Sequence, residues 1–374
     1  MSRVLFAGGG TGGHLYPAIA LAEALQRDHV GIDVHFVGAQ RGVEARVLPN
    51  EGKPHTLLPF QPLRRSQVWQ NWQLVPAMVR SANGLRRLFK EFKPELVVGT
   101  GGYASAPACM WALLHKIPVA VQEQNSHPGL TTRTLSRWAR QVHLGFPEAR
   151  RYIKPGKLTE VTALGNPIRP PDPTIDRPAA RAAFGLKNDT VVVLVVGGSQ
   201  GSRAINEALL GAIALAPQHP DAPAPRLEIL WATGPTHIES INARLPENAK
   251  AWVKTVGYIT NMSAALVAAS VAISRAGAMG TAELLAWGVP MVLIPLPTAA
   301  ADHQTYNARA LAEAGAAHML VERELTGERL WHELKLLITD EALRNKMRAA
   351  ALDRARPQAA EDIAQRLAAL LERA

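Results

Sequence analysis

The sequence is poor in cysteine, and this scarcity limits both its chemistry and its location. Cys109 is the only cysteine among 374 residues. An intramolecular disulfide and a zinc site built on cysteine thiolates are therefore excluded. A lone cysteine is typical of a protein in a reducing compartment, so the cytoplasm is the expected location.

Long apolar runs are also lacking. The longest purely aliphatic run is Val191–Val196, whereas a membrane-spanning helix needs about 20 apolar residues. Residues 2–7 do not form the apolar core of a secretory signal. We therefore expect no spanning segment and no signal peptide.

Two motifs of phosphate chemistry are missing. The chain has no Gly-x4-Gly-Lys-[Ser/Thr] sequence, which disfavours a P-loop hydrolase. It also has no Asp-x-Asp pair, the usual metal anchor for a sugar diphosphate. Backbone dipoles and arginine would then have to balance the charge of a leaving diphosphate, and Arg169 and Ser199 are the candidates. No metal site is predicted and no cofactor is expected to be required, although stimulation by a divalent cation stays open.

Aromatic residues make up only 5% of the chain, while the net charge is +10. The charge favours an anionic partner, which could be nucleic acid, acidic lipid or a phosphorylated substrate. A solvated basic surface is the simpler alternative. The few aromatic residues and the absence of a nucleic-acid motif disfavour nucleic acid.

The residues that are present alternate between short β-branched runs and helical periods. The predicted strands are 4–7, 34–37, 96–99, 119–122, 191–196, 229–232, 271–274 and 291–294. This alternation predicts an α/β protein with parallel sheets covered on both faces. Prolines in the segment 165–173 predict a linker between domains 1–166 and 167–356, and the stretch 217–225 a surface loop. A last helix, 359–373, is expected to pack back on the first domain.

A glycine turn occurs once in each half, directly after a predicted strand. The two turns are Gly9-Gly10-Thr11-Gly12-Gly13-His14 and Gly197-Gly198-Ser199-Gln200-Gly201-Ser202. Such turns let backbone amides approach a phosphate at a helix start, although they also serve as plain tight turns. The repetition predicts two Rossmann-like sheets with a ligand cleft between them. Nicotinamide binding is weakly supported, because the second strand ends at Val37-Gly38-Ala39-Gln40 without an acidic residue.

Several polar residues follow strand ends and are candidates for catalysis or binding. His14 lies at a helix start, where the positive dipole favours a neutral imidazole that could act as general base. A histidine that only hydrogen-bonds a neighbour is an equal alternative. Asn125 could bind an acceptor. Glu123 could also bind the acceptor, or its carboxylate could instead accept hydrogen bonds from neighbouring backbone N–H groups. Gln304 could orient sugar hydroxyls.

The segment 71–92 is both basic and apolar, as is expected of a helix resting on an anionic membrane. A core-facing helix would carry a similar stripe, and Pro76 obscures the period. The residues predicted to contact the membrane are Trp72, Leu74, Val75, Met78, Val79, Arg80, Arg86 and Arg87.

Seven motifs in order resemble the bacterial peptidoglycan N-acetylglucosaminyltransferases of glycosyltransferase family 28. They are Gly9 to His14 with Pro17, Gly101-Gly102-Tyr103, Glu123-Gln124-Asn125, Gly165-Asn166-Pro167-Ile168-Arg169, Gly197 to Gly201, Ser274-Arg275-Ala276-Gly277-Ala278 and Asp302-His303-Gln304-Thr305. The resemblance covers nearly the whole chain.

This resemblance implies a GT-B fold, with two Rossmann-like domains across a deep cleft. It implies transfer of N-acetylglucosamine from UDP-N-acetylglucosamine to the C4 hydroxyl of undecaprenyl-diphospho-N-acetylmuramoyl-pentapeptide (lipid I), giving lipid II with inversion. The protein would be peripheral, at the cytoplasmic face of the inner membrane. Other proteins of cell-wall synthesis are candidate partners.

The resemblance also assigns residues. His14 is similar to a catalytic or acceptor-binding histidine, and Tyr103, Glu123 and Asn125 would lie by the acceptor. Glu283 would bind the ribose hydroxyls, or would stabilise a helix start. The implied donor residues are Thr11, Gly12, Gly13, Asn125, Arg169, Ser199, Ile259, Ala278, Met279, Gly280, Thr281, Ala282, Glu283 and Gln304. A diacylglycerol glycosyltransferase and a UDP-N-acetylglucosamine 2-epimerase are alternatives with the same fold.

Overall fold

A computed structural model describes residues 2–62, 68–216 and 227–372. The chain divides into two compact units, one formed by Met1–Arg169 with Arg356–Ala374 and the other by Pro170–Ala355. The predicted loop 217–225 and Arg373 of the predicted last helix lie outside the described residues.

The first unit is built on a parallel sheet whose described strands number seven, in the order β3-β2-β1-β4-β5-β6-β7. The strands are β1 Ser2–Ala7, β2 Ile32–Ala39, β3 His55–Leu58, β4 Leu96–Gly99, β5 Val119–Glu123, β6 Gln141–Leu144 and β7 Glu160–Thr162. The α-helices are α1 Gly12–Asp28, α2 Glu44–Asn50, α3 Val75–Phe92, α4 Ser105–Leu114, α5 Leu130–Leu135 and, from the end of the chain, α14 Ala359–Leu371. Short 3-10 helices span Val68–Leu74 and Pro147–Tyr152.

Alternating side chains of β1 supply two separate cores in this unit. Val4 and Phe6 pack on one face of the sheet with apolar residues of α1 and α14. Leu5 and Ala7 point to the opposite face, where α3 and α4 lie. Because successive residues of a strand face opposite sides, the continuous apolar run Val4–Ala7 places β1 in the middle of a sheet that is covered on both faces.

The second unit repeats this plan with six described strands in the order β10-β9-β8-β11-β12-β13, all parallel. The strands are β8 Val191–Val196, β9 Leu227–Ala232, β10 Val253–Val256, β11 Val271–Ser274, β12 Met291–Leu293 and β13 Ala317–Met319. The α-helices are α6 Arg177–Ala183, α7 Arg203–Leu215, α8 Ile238–Arg244, α9 Met262–Ala268, α10 Ala278–Ala286, α11 His303–Glu313, α12 Gly327–Thr339 and α13 Glu341–Arg354. Short 3-10 helices span Glu247–Ala249, Ala300–Asp302 and Glu322–Glu324.

The helices that follow glycine turns differ from one another in their caps: α7 is capped by Ser202 Oγ, which accepts from Ile205 N at 3.4 Å, whereas α1 and α10 have no side-chain cap in the described part of the chain. In α9 and α12 the caps Asn261 and Thr326 accept a hydrogen bond from a first-turn amide, at 3.1 and 3.2 Å. Within the described residues, the caps of α1 and α10, Thr11 and Gly277, give no such side-chain bond. The first amides of these two helices therefore have no side-chain cap, as a helix start that receives a ligand requires.

The predicted α/β class is confirmed, and each predicted strand forms, with ends that differ by a few residues at most. The strands β3, β6, β7, β10 and β13 were not predicted. The division between the units, after Arg169, lies within the predicted linker 165–173, whose residues Asn166 and Ile168 are only 3% and 4% exposed and belong to the first unit.

Strand β6 was not predicted because it carries buried polar residues, Gln141 and His143, among its apolar ones. His143 on this strand is buried between Thr162, whose hydroxyl is 2.9 Å from Nδ1, and Gln141, whose Oε1 is 3.1 Å from Nε2. Burial, together with the charge of Arg366, lowers the pKa of the imidazole to about 3. His143 is therefore a neutral core residue. Within the described ranges, none of the helices has the length and apolarity needed to cross a bilayer.

Candidate functional site

The first glycine turn leaves β1 and enters α1, and it is filled from within the protein. Gly10 has a φ of 87°, a left-handed conformation that favours glycine. A Cβ there would lie 2.7 Å from Cε1 of Tyr103. Burial, and secondarily the Glu44 carboxylate, raises the pKa of the Tyr103 hydroxyl.

Glu44 supplies the anion that this turn binds. Its carboxylate is fully buried and accepts hydrogen bonds from Gly10 N at 2.9 and 3.1 Å and from Ala39 N at 2.7 Å. Gly9, Gly38 and Gly42 leave the space it occupies. The expectation that this turn offers a ligand phosphate the same cradle as the turn in the second half is therefore wrong at Gly10.

His14 lies in the first turn of α1, against the loop that follows β4. Its Nδ1 is 3.0 Å from Oε1 of Gln124, and Thr100 Oγ1 donates to its carbonyl oxygen at 2.7 Å. A Cβ at Gly101 would come within 2.8 Å of Nδ1. The two glycines of the Gly-Gly-Tyr motif, Gly101 and Gly102, thus make room for the imidazole and for the neighbouring turn at Gly9.

Glu123 and Asn125 follow β5 and belong to one local turn. The Glu123 carboxylate accepts from Asn125 N at 3.1 Å, from Asn125 Nδ2 at 3.3 Å and from Gly129 N at 3.0 Å. Glu123 is only 3% exposed. Of its two suggested roles, the geometry supports satisfaction of local backbone, which leaves Asn125 at the end of a rigid turn.

The second unit has glycines that face open space, namely Gly198 in the second glycine turn and Gly277 and Gly280 after β11. Gly197 and Gly201, by contrast, pack against Ser202 and Thr233. A Cβ built at Gly198, Gly277 or Gly280 would meet no heavy atom of the described residues within 4 Å. Strands β8 and β11, which precede these glycines, are hydrogen-bonded neighbours. The two turns therefore lie at the same carboxyl edge of the second sheet, where α/β sheets bind ligands.

Arg275, to which no role was assigned from the sequence, forms hydrogen bonds with residues that follow two other strands of this edge, β8 and β12. Its guanidinium donates to Ser202 Oγ at 2.7 Å and to the carbonyl oxygens of Ile294 and Pro295 at 3.2 and 3.1 Å. It also forms an ion pair with Glu322 at 2.6 Å. An arginine directly after a strand and before a glycine turn was the available signal.

The other predicted donor residues fall in different places. Ala278, Met279, Gly280, Thr281, Ala282 and Glu283 form the first two turns of α10. Glu283 lies in the second of these turns, so its suggested role at the helix start is not supported. Gln304, at the start of α11, accepts from Leu296 N at 3.0 Å through Oε1.

Residues outside α10 and α11 complete the predicted donor set. Ser199 is exposed in the second glycine turn, and Ile259 is buried in the loop after β10. Thr11, Gly12, Gly13 and Asn125 belong to the first unit, as does Arg169, whose side chain is exposed at its boundary. Among the described residues, no group of three or more histidine, cysteine, aspartate or glutamate side chains could hold a metal ion.

Helix α3 has one face in the core and another exposed. Leu85 and Leu88 are buried, as an ordinary core-facing helix requires. Val75, Met78 and Val79 are nonetheless more than half exposed, and so is Trp72 just before the helix. Leu74 is only 6% exposed, so its predicted membrane contact is wrong. Trp69, 73% exposed, was missed.

Sequence profiles of two family domains match the chain. The glycosyltransferase family 28 N-terminal domain matches residues 4–144, and the glycosyltransferase family 28 C-terminal domain matches residues 192–367. The chain belongs to glycosyltransferase family 28. The two units are the paired Rossmann-like domains of the GT-B fold.

Relatives within family 28 agree over the full length. An enzyme of Moorella thermoacetica named UDP-N-acetylglucosamine–N-acetylmuramyl-(pentapeptide) pyrophosphoryl-undecaprenol N-acetylglucosamine transferase is 41% identical, with 97% of each chain covered. A Salinibacter ruber enzyme of the same name is also 41% identical, over 99% of this chain and 97% of its own. The crystal structure of Acinetobacter baumannii MurG matches with a TM-score of 0.77 and 29% identity, covering 100% of both chains. The protein is a glycosyltransferase, and neither alternative enzyme with this fold is favoured.

Proposed function

We propose that this glycosyltransferase moves N-acetylglucosamine from UDP-N-acetylglucosamine to the C4 hydroxyl of lipid I, forming lipid II. Two relatives that are 41% identical to this chain are named for this activity, which supports the choice of donor and acceptor. Attack by the hydroxyl on the anomeric carbon inverts that centre and releases UDP. The protein would work at the cytoplasmic face of the inner membrane.

The observation that carries the proposal is the contrast between the two glycine turns. In the first unit an internal carboxylate, Glu44, takes the amide of Gly10. In the second unit Gly198, Gly277 and Gly280 each face open space, and they follow neighbouring strands at one edge of the sheet. A diphosphate needs room to approach backbone amides at helix starts, and this space supports placing the donor nucleotide on the second unit.

The donor's groups are then distributed along that edge. The start of α10, from Ala278, would receive the diphosphate, and Glu283 would accept hydrogen bonds from the ribose hydroxyls. Ser199 and Arg169 would contact phosphate oxygens, and Ile259 the uracil. Gln304 already uses Oε1 internally, which leaves its amide NH2 to donate to a sugar hydroxyl.

The acceptor would be held by the first unit near His14. Tyr103 and Asn125, from the loops after β4 and β5, would line it, and His14 would take the proton from the attacking hydroxyl. Thr11, Gly12 and Gly13 would contact the sugars on either side of the new bond. No bound metal is assigned a role in this reaction.

The direct test is acceptor-dependent release of UDP. We expect UDP-N-acetylglucosamine and a soluble lipid I analogue to give UDP and a disaccharide product, with no loss of rate in EDTA. Glu283→Ala should raise the KM for the donor by about tenfold or more, since a hydrogen bond to a charged group contributes roughly 1.5–3 kcal/mol. Conversion to a 2-epimer, or sugar transfer to diacylglycerol alone, would overturn the assignment, as would the absence of UDP release.

Peripheral membrane binding is proposed through the exposed face of α3. By helical spacing Val75, Val79 and Arg86 share one stripe, so apolar side chains and a cation reach the same surface. Trp69 and Trp72, in the 3-10 helix just before α3, are exposed as well. Tryptophan suits the interface, while arginine suits anionic head groups.

Replacing exposed apolar residues of α3 with acidic ones should weaken membrane binding. We expect Met78→Glu/Val79→Glu to reduce cosedimentation with phosphatidylglycerol vesicles by about tenfold. The matched control is Leu336→Glu/Leu352→Glu, which alters two exposed leucines of the second unit and should bind as wild type does. Equal binding by both double variants would exclude this face.

A further inference from the structure

A chain of buried side-chain amides runs within the first unit from His14 to Asn166. It comprises Gln124, Gln122 and Asn166, each no more than 3% exposed. Amide oxygens only accept hydrogen bonds and amide nitrogens only donate them. Each link therefore constrains the orientation of the next, and the contacts at the two ends decide the orientation of the whole chain.

The end near His14 is anchored by a backbone carbonyl. Gln124 Nε2 lies 2.8 Å from the carbonyl oxygen of Thr100 and 3.3 Å from that of Gln122. Because carbonyl oxygens accept only, the NH2 of Gln124 must face them. Its Oε1 is thereby turned toward Nδ1 of His14, 3.0 Å away.

The contacts of Asn166, at the other end of this chain of amides, independently fix the same orientation of Gln124. Asn166 Nδ2 donates to the carbonyl oxygen of Gln124 at 3.0 Å, so Asn166 Oδ1 faces Gln122 and accepts from its Nε2 at 3.2 Å. The remaining atom, Gln122 Oε1, then accepts from Gln124 Nε2. Both ends thus leave Gln124 Oε1 pointing at the imidazole as an acceptor.

An acceptor at Nδ1 decides which imidazole nitrogen carries the proton. Gln124 Oε1 can only be satisfied by an Nδ1–H, so the neutral ring carries its proton on Nδ1 and has a lone pair on Nε2. Among the described residues, no group forms a hydrogen bond with Nε2. A general base needs this arrangement.

We propose that Gln124 is a positioning residue that holds His14 in the Nδ1–H tautomer, with Nε2 as the atom that takes the acceptor proton. This inference rests on the proposed function. In the step, the hydroxyl oxygen bonds to the anomeric carbon as its proton passes to Nε2. The bond from that carbon to the diphosphate oxygen breaks, and UDP leaves with the electron pair. The resulting imidazolium keeps its Nδ1–H on Gln124.

The tautomer can be read without any turnover. In protein labelled with 15N-histidine, long-range proton–nitrogen correlation distinguishes protonated from unprotonated ring nitrogens, and His14→Ala assigns the signal among the 12 histidines. We expect wild type to show a protonated Nδ1 and an unprotonated Nε2. A protonated Nε2 in neutral wild type would overturn the proposal.

Two variants separate positioning from packing. Gln124→Met keeps the approximate volume but accepts no hydrogen bond, so we expect a mixed tautomer and a fall in kcat of about tenfold, in the lower part of the range for a proton-transfer contribution. Gln124→Glu keeps an acceptor oxygen at Nδ1. It should retain the wild-type tautomer and move the acid limb of the kcat/KM profile to higher pH, because a nearby carboxylate favours the imidazolium.

The matched control is Gln141→Met, which removes a buried glutamine beside another histidine, His143. It should leave the His14 tautomer and the pH profile unchanged. Equal losses in Gln124→Met and Gln124→Glu, with the wild-type tautomer in both, would reduce Gln124 to a packing residue and overturn the proposal. Failure of the proposed function would appear separately, as wild type without acceptor-dependent UDP release.

Discussion

Replacing His14 with alanine is expected to lower kcat by about 10²- to 10⁴-fold, the range of a positioned general base. The expected loss falls on kcat because the proton moves only in the transition state. The donor KM should change by less than about threefold, since the open glycine turns of the second unit remain intact. Initial rates of UDP release would measure both parameters, kcat at saturating donor and acceptor and the donor KM from a titration of the donor.

His115→Ala is the matched control for this variant. His115 belongs to the same unit and is exposed, with Nδ1 bonded to the carbonyl oxygen of Trp111 at 2.8 Å. It should retain wild-type turnover. If His14→Ala also kept turnover within about threefold, His14 would not be the base.

Local spacing was sufficient for the features whose residues are close together in the chain. Strand β8, Val191–Val196, is apolar at every position and was predicted with its observed bounds. His14 was singled out because it follows a glycine turn at a helix start. Both signals lie within a few residues, where backbone geometry follows directly from sequence.

Features that depend on distant partners could not be predicted in this way. Glu44 bonds to Gly10, 34 positions away, and Gln122 to Asn166, 44 positions away. Strand β6 carries Gln141, whose Nε2 donates to the carbonyl oxygen of Arg366 in α14 at 3.0 Å. These polar residues are stable in the interior only because tertiary contacts satisfy them, and no local pattern reveals those contacts.

Two residues near the start of α3 were predicted incorrectly for a different reason. Helix α3 begins at Val75, so the apolar residues of the preceding 3-10 helix do not continue its helical period. Leu74 ends a 3-10 helix and turns inward, whereas Trp69 in the same 3-10 helix is exposed. The composition of the segment indicated an amphipathic element, but only the observed helix start fixed which residues are exposed.

Replacing Glu44 with glutamine is expected to lower kcat/KM for the acceptor by about 10²-fold, the cost of misplacing a catalytic group by about 1 Å. The carboxylate accepts from both Gly10 N and Ala39 N. A glutamine with its oxygen at the Oε1 position would place its NH2 at the Oε2 position, where Gly10 N now donates at 2.9 Å, so two donors would face each other there. The Gly9–Gly10 turn, which packs against Tyr103 and Gly102 beside His14, should then move.

The same substitution should lower the free energy of unfolding by roughly 1–3 kcal/mol, the cost of an unsatisfied buried donor. Glu228→Gln is the matched control, because Glu228 is a buried carboxylate of the second unit that accepts from Lys187 N and Thr190 Oγ1 at 2.7 and 2.8 Å. It should cost similar stability and leave the acceptor kcat/KM within about threefold. Stability would be followed by urea titration and kcat/KM by UDP release. Equal kinetic losses in both variants would mean that Glu44 acts on the whole protein, whereas a loss confined to Glu44→Gln would identify its carboxylate as the group that shapes the first glycine turn around His14.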